Sequence, residues 1–524
     1  MTAALAALGL MAGCAVGPDY VRPELLQFQG YASVPRAAAE ASAPAVQAQR
    51  FAVERDIQAD WWSLFKSPAL DTLIQKAFAA NPSIESAQAA LAVARENVAA
   101  QQGFFFPTVL AGYAPERTKL AANLGGNSPG IQGDGSVIST FQGTPASDGG
   151  TAPFNAPVTY NFHTAQLTVG FVPDVFGANR RHVESLEAQA QSQRFQLEAS
   201  YITLASNIVA AAFQDALSRQ QILINEEMID AGVASVGLVR RQLAAGHASR
   251  LDLALQESAL AQARQLLPPL RKQFEQNRNL LRALAGAAQD TDVPAFELDA
   301  FHLPEELPLT LPARLIEQRP DVRAAEEQLR AASAEVGVAR AGRLPQFSIS
   351  ASVGGAAGRF SQMFWNSGKF FDVALGLTQP LLDGGTLLHR ERAATENLRQ
   401  ATAQYKSSVI TAYQNVSDTL HAIQSDGEAL TAATEVADTA KTALALTRRQ
   451  HRAGYLDRLA LIGAEQTYRQ GQLNLAQAHG ARLGNTASLF QALGGGWWHR
   501  TASEDTTGMA LPSLDLLAVK TKQD

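Results

Sequence analysis

GFVPDVFG, residues 170–177, closes a strand-like run and opens a long stretch rich in Gln, Ala and Leu, which ends at RRQLAAG, Arg240–Gly246. A second such run, with a break expected at Pro268–Pro269, ends at ALAG, Ala283–Gly286. The order then recurs: GLTQPLLDGG at 376–385, a long run, RRQHRAG at Arg448–Gly454, and QALG at Gln491–Gly494. Pro173 pairs with Pro380 at an offset of 207 and Gly246 with Gly454 at 208, so two distant landmarks keep register to within one residue. That is the mark of a duplicated unit.

The physical content of the unit is a helix of unusual length. Residues 178–245, if continuously helical, span roughly 100 Å. Val409, Tyr413, Val416, Leu420 and Ile423 recur at alternating steps of four and three, as do Leu197, Tyr201, Leu204, Ile208 and Ala211. This is a coiled-coil seam, and such helices need neighbours along their whole length. Taken alone, each track fits an ordinary coiled coil.

Outward from the helices, each half places two alternating segments. PQFSISASVGG sets Phe347, Ile349, Ala351 and Val353 against Ser348, Ser350 and Ser352, and FFDVALGLTQP sets Phe371, Val373, Leu375 and Leu377 against Asp372, Ala374, Gly376 and Thr378. In the first half AQLTVGFVP is clear and TVLAGYA weaker. Period-2 segments of this length fit a barrel wall, lipid outside and water within. Phe104–Phe106, Phe360, Phe364, Trp365, Phe370 and Phe371 stand at strand ends, where interfacial girdles sit, or else pack the end of a hairpin in water. Residues 117–163 read as a long Gly/Ser/Pro/Asn loop. Four strands cannot close a membrane barrel, for which about eight is the minimum, so a spanning chain must oligomerise. Pro173, Gly177, Pro380 and Gly384 mark the expected barrel-to-helix junctions, where the chain changes twist.

Pro82 and Pro107 answer Pro320 and Pro345 at an offset of 238, so a second helical segment is duplicated and the first half carries about 31 extra residues between its strands. The 524 residues are 46% hydrophobic and 18% charged with a net charge of −6, which offers nucleic acid no general attraction. Past the N-terminus no apolar run is long enough for a membrane-spanning helix. MTAALAALGLMAGC ends in the one cysteine, Cys14, which excludes an internal disulfide. Leu10-Met11-Ala12-Gly13-Cys14 resembles a bacterial lipobox; no basic residue precedes it, so the start is expected upstream or the leader is shortened. Residues 15–60 read as an extended surface tail, with Trp61, Trp62 and Phe65 able to pin it to a helical body. No nucleophile elbow, phosphate-binding loop, zinc-protease motif or cysteine pair occurs, and the nine histidines include no i, i+3 or i+4 pair, so neither an enzyme nor a metal site is expected.

CAVGPDYVRP at 14–23, DWWSLFKSPALDTLI at 60–74, LPARLIEQRPDVRAAEEQLRAASAEVGVARAGRLPQF at 311–347 and PLLDGGTLLHRERAA at 380–394 strongly resemble the TolC-like outer-membrane factors, in their NodT-type lipoprotein branch. The resemblance implies a mainly α fold with a transmembrane β-barrel. Two tandem repeats of helix, two strands and long helices would form a homotrimer whose 12-stranded barrel continues into a periplasmic α-helical barrel. It implies these parts: a signal peptide, 1–13; a lipidated tail, 14–60; a first repeat, 61–286, with strands about 106–116 and 164–174 and helices 178–286; an equatorial linker, 287–310; a second repeat, 311–496, with strands about 345–355 and 370–380 and helices 385–494; and an equatorial tail, 497–524.

The function implied is the passive exit duct of a tripartite efflux pump, working with a periplasmic adaptor and an inner-membrane resistance-nodulation-division transporter. Alternatives are the duct of a type I protein secretion system and a lipid-anchored periplasmic scaffold with no channel. No cofactor is implied beyond diacylglycerol and an acyl chain on Cys14, which place the protein at the outer membrane. The tips carrying Arg240, Arg241, Gly246, Arg448, Arg449 and Gly454 are implied to meet the adaptor; the arginines also suit a helix C-terminus on charge alone. The gate leucine of related channels matches Leu459. The aspartate that follows it there is Gly463 here, so cation-sensitive closure is not carried over, and Asp457 is the nearby acid.

Overall fold

A computed structural model describes residues 15–24, 49–53, 55–120, 130–131, 137–138, 158–288, 291–309 and 316–500. Cys14, the leader 1–13, most of the loop between the first two long strands, Leu311 and Pro312, and the tail from Thr501 onward lie outside these. The chain divides into two compact units. One comprises Met1–Glu24, Leu91–Ser192 and Glu326–Gln404, the other Leu25–Ala90, Gln193–Ala325 and Tyr405–Asp524.

In chain order the elements are β1 (Arg50–Val53), α1 (Pro68–Ala80), α2 (Pro82–Gln102), β2 (Thr108–Leu120), the two-residue strands β3 (Gly130–Ile131) and β4 (Val137–Ile138), β5 (Val158–Phe171), α3 (Ala178–Ala244) and α4 (Arg250–Leu284). Then follow β6 (Glu306–Leu309), α5 (Pro320–Ala341), β7 (Gln346–Ala357), β8 (Lys369–Thr378), α6 (Thr386–Arg452) and α7 (Arg458–Ala492).

The first unit is built on an antiparallel sheet in the order β2-β5-β7-β8. Its register stacks the apolar members of the alternation across the strands: Val109 lies opposite Val169, Val169 opposite Ala351, and Ala351 opposite Val373. The next row runs Ala111, Leu167, Val353, Phe371, while Thr168, Ser352 and Asp372 share the other face. The apolar face is bare, with Val109, Leu167, Val353, Phe371, Val373 and Leu375 all exposed, and so are Ser348, Ser350 and Asp372 on the polar face.

β2 and β5 pair out to Leu120 and Val158, beyond the last β5–β7 pair at His163 and Ala357. The extension from Pro115 to Leu120 carries polar residues on both faces, so it lacks the period-2 signal that marks a strand. Pro115 is tolerated because β2 is an edge strand.

In the second unit Trp61 and Phe65 are fully buried. Trp61 stacks on Phe490 of α7 at 5.3 Å, and Phe65 meets Phe213 of α3 edge-on at 4.9 Å. The seams hold: Val409, Tyr413, Val416, Leu420 and Ile423 are buried in α6, and Leu197, Leu204, Ile208 and Ala211 in α3. The expected break at Pro268–Pro269 does not occur, and α4 runs through both prolines. The reason is their setting: both prolines and residues Arg264 and Gln265, whose carbonyls lose their N–H partners, are exposed, so water satisfies the freed acceptors.

The stretch expected as an extended surface tail is fixed in two places. Arg50–Val53 pairs in parallel with Glu306–Leu309, and Arg50 and Arg55 both bond Glu306. Residues 15–24 are strapped to the first unit through ion pairs of Asp19 with Arg181 and Arg22 with Glu326.

The duplication extends to a pair of clasps in the second unit. The Asn81 side-chain amide donates to the Leu284 carbonyl at 2.8 Å, and the Arg319 guanidinium donates to the Ala492 carbonyl at 3.0 Å. Each residue precedes a proline-started helix and satisfies an orphan carbonyl at the end of a returning one. Gly286 and Gly494, at φ +67° and +97°, let the chain pass there: a Cβ at Gly286 would lie 2.5 Å from the Ala80 oxygen and one at Gly494 2.7 Å from that of Gln318.

Candidate functional site

The two hairpin tips are the first candidate. α3 ends with Gly246 at φ +77°, whose N–H bonds the Leu243 carbonyl while the His247 N–H bonds that of Gln242. α6 ends the same way, with Gly454 at φ +78°, its N–H on His451 and the Tyr455 N–H on Gln450. Both are left-handed C-terminal caps that only glycine enters without strain.

The returning helices are capped differently. Ser249 and Asp252 form a reciprocal capping box at α4, which holds the Asp252 carboxyl below the usual range through the Ser249 N–H and hydroxyl. At α7, Asp457 is the N-cap, its Oδ1 accepting the Ala460 N–H at 2.8 Å. The acid beside Leu459 therefore has a structural task that sequence spacing did not reveal. Leu459 is partly buried in the first turn of α7, and Gly463 is exposed with open space where a Cβ would stand.

Of the four tip arginines, two are brought onto partners. Arg240 pairs with Glu257 at 2.7 Å and Arg448 with Glu465 at 3.1 Å, each tying a helix to the one returning beside it. The two pairs are related by the 208-residue offset at both members, a signal that was available in the sequence once the repeat was aligned. Exposed pairs of this kind contribute about 0–1 kcal/mol each, so they fix geometry more than stability. Arg241 and Arg449 are exposed on the far side of the same turns.

The strand–helix junctions are the second candidate. After β5, Asp174 accepts the Asn179 N–H at 3.0 Å on Oδ1 and the Arg180 N–H at 2.8 Å on Oδ2, and Gly177 turns the chain at φ +75°. After β8, Asp383 accepts the Gly385 and Leu387 N–H groups at 2.8 Å each, which lowers its pKa, and Gly384 and Gly385 both take positive φ. Pro173 and Pro380 stop the strands by withholding a ladder donor. The carboxylate caps at Asp174 and Asp383 and the second glycine, Gly385, were missed by sequence reasoning. Arg340 and Arg343 both bond Glu391 and so bind α6 to the end of α5.

The family model for outer membrane efflux proteins matches residues 73–287 and 311–495, the two repeats as the structure lays them out. The chain belongs to that family. This efflux protein is 28% identical over 438 residues to the pyoverdine export outer membrane protein OpmQ of Pseudomonas aeruginosa, covering 83% of this chain and 87% of that protein. It is 26% identical over 501 residues to the solvent efflux pump outer membrane protein SrpC of Pseudomonas putida, covering 94% and 97%. Its fold matches the outer-membrane channel OprN, with TM-score 0.76 and 24% identity over 92% of this chain and 100% of that one. It also matches the open state of the Neisseria gonorrhoeae MtrE outer membrane channel, with TM-score 0.72 and 23% identity over 92% and 98%. The expected TolC-like fold is thus the observed one, and the protein is an outer-membrane efflux channel.

Proposed function

We propose that this efflux protein is the homotrimeric exit duct of a tripartite pump, anchored at Cys14 by lipid, meeting a periplasmic adaptor with its hairpin tips and gated near Leu459. The supporting observation is the sheet β2-β5-β7-β8, whose apolar face is bare and whose edge strands β2 and β8 have no partner on their outer sides among the described residues. Four such strands from each of three copies make a closed wall with no free edge, lipid outside and the Ser/Thr/Asp row inside. An inner-membrane resistance-nodulation-division transporter is the energy source in this reading, because nothing in a passive duct performs work.

The tips suit adaptor contact. They present Arg241, Arg449 and Tyr455 outward on turns held rigid by glycine caps and Arg–Glu ties. With glycine at 463, closure depends on the apolar Leu459 rather than on a ring of acids there. The test is single-channel conductance of the purified trimer in planar bilayers. Leu459→Ala is expected to raise conductance; a species that does not conduct, or that leaves the membrane when Cys14→Ser removes its anchor, would mean the protein is a scaffold rather than a duct.

A further inference from the structure

The first unit contains a cavity of about 610 Å³ at the base of its sheet, a size within the range of roughly 300–1,000 Å³ typical of small-molecule sites. Its walls come from the end of α2, the start of β2, the junction 170–179, His182 of α3, Val338 and Ala341 of α5, and the start of β7. Phe104, Phe106, Phe171, Phe176, Phe347 and Ile349 supply the lining that matters here. The one carboxylate among the lining residues, Asp174, has both oxygens committed to the first turn of α3. The site therefore has no free acid to hold a cation and no lysine or arginine to hold an anion. Its chemistry is that of a receptor for an apolar chain.

The strap made by residues 15–24 begins against Phe176 and Gly177, the first of which lines the groove. The Phe176 carbonyl accepts the Val16 N–H at 3.1 Å, and Phe176 itself lines the groove. Next to it, a Cβ on Gly177 would lie 2.7 Å from the Ala15 Cα. Gly17, at φ +119°, lies so close to α5 that a Cβ there would stand 2.5 Å from the Gly337 Cα. Further along, Asp19 pairs with Arg181 at 2.7 Å, Arg22 with Glu326 at 2.9 Å, and the Arg330 guanidinium covers the Tyr20 ring. A tail that only tethered the protein to a bilayer would need none of this. The described strap begins at Ala15, packed on Gly177 and one residue after the cysteine, and consecutive Cα atoms are about 3.8 Å apart.

We infer that this phenylalanine-lined groove is an acyl-chain site and that its occupant is a fatty acyl chain borne by Cys14. The inference rests on the proposed lipidation of Cys14. Seated there, the chain packs against the strand–helix junction instead of mixing freely with membrane lipid, and it fixes the anchor to the base of the sheet. Burying its methylenes against the aromatic lining removes apolar surface from water on both sides.

The test uses the sequence's single cysteine, whose sulfur is consumed when it is lipidated, so that one added cysteine becomes the only reactive thiol. Ile349→Cys on β7 and Val338→Cys on α5 report from two walls of the groove, and Phe371→Cys on β8 serves as the outside reference. Each is made in the full chain with its own leader, and again with Cys14→Ser behind an ordinary secretory leader. The purified proteins are then labelled with a maleimide in detergent, before and after exhaustive delipidation. Mass spectrometry of the N-terminal peptide reports lipidation separately.

Labelling at Ile349→Cys and Val338→Cys is expected to be about tenfold slower in the lipidated protein, as for a site open about a tenth of the time, with no change at Phe371→Cys. Equal rates in the two forms, with acyl chains present on Cys14, would overturn the groove assignment and leave lipidation standing. A peptide without lipid would overturn both. Protection that persists in the Cys14→Ser form until phospholipid is stripped would make the occupant a free membrane lipid and also overturn the proposal. Two reporters on separate elements guard against one of them failing to fold.

Discussion

α3 and α6 are both 67 residues long, end in the same glycine cap and carry the same Arg–Glu tie, yet their first turns live in different surroundings. Between Ala178 and Ser192, α3 buries Arg181, Val183, Ser185, Ala188, Ala190 and Ser192, with Val183 and Ala190 packed against Val98 of α2. Between Thr386 and Gln404, α6 buries nothing. The neighbouring strand β8 is bare as well, with Phe371 82% and Leu375 81% exposed. Two copies of one sequence unit have thus divided their labour. The first buries its helix start within its own chain, and the second, tied to α5 through Glu391, keeps an unburied helix start beside a free sheet edge, as the proposed trimer requires.

Exchanging residues across the repeat separates the two helix starts most strongly. Ala188 of α3, 3% exposed, corresponds at the 208-residue offset to Glu396 of α6, which is exposed beside Arg399. Ala188→Glu buries an unpaired charge and is expected to cost about 3–5 kcal/mol, read as a lost or early thermal transition by circular dichroism. Glu396→Ala is expected to stay within about 0.5 kcal/mol. Equal effects would mean that the asymmetry in burial is not real.

Next comes the bare face of β8. Leu375→Arg leaves contacts within one chain nearly untouched but is expected to cost about 2–4 kcal/mol where the residue meets lipid near mid-membrane. The measure is the heat-resistant trimer recovered from outer membrane, which should fall sharply, whereas Ser350→Thr on the polar face should leave it intact.

Smaller again is the difference between the two helix starts. Asp457→Ala removes the α7 cap and is expected to cost about 1 kcal/mol, with Ser249→Ala at α4 losing a similar amount. If Asp457 also shapes ion flow beside Leu459, cation block changes in the first variant alone; an unchanged block leaves the carboxylate as a cap and nothing more.

The smallest effect is in pH. His479 of α7 lines a groove with Asp299 and His302, whereas its repeat counterpart Arg271 is exposed and paired with Glu226. Burial lowers the His479 pKa, opposed by the nearby Asp299. Because the folded value lies below the unfolded one, near 6.5, stability is full above that pH. It declines as pH falls from there to the depressed folded value. His479→Gln should flatten this part of the stability profile; an unaltered slope would place the dependence elsewhere.

Much of this architecture was legible because periodicity survives wherever one face differs from the other. The seams Val409–Ile423 and Leu197–Ala211, the alternation in β7 and β8, and the glycines at 246 and 454 all carry such a contrast. Pro115–Leu120 was not legible as strand because both its faces carry polar residues, and Pro268–Pro269 read as a break because hydration of the Arg264 and Gln265 carbonyls is invisible in composition. The candidate site divides in the same way. Glycine caps announce themselves, but the Asp174 and Asp383 caps and the strap from Ala15 to Glu24 depend on distant partners, which no local window contains.

The clasps of Asn81 on Leu284 and Arg319 on Ala492 join residues 203 and 173 positions apart. Closing loops of those lengths differs in entropic cost by only about 0.1 kcal/mol, so neither half has a head start from chain length alone. Each clasp is closed within its own repeat: both members of the Asn81 pair precede residue 287 and both members of the Arg319 pair follow residue 311, so either half fastens its own helices without a residue of the other.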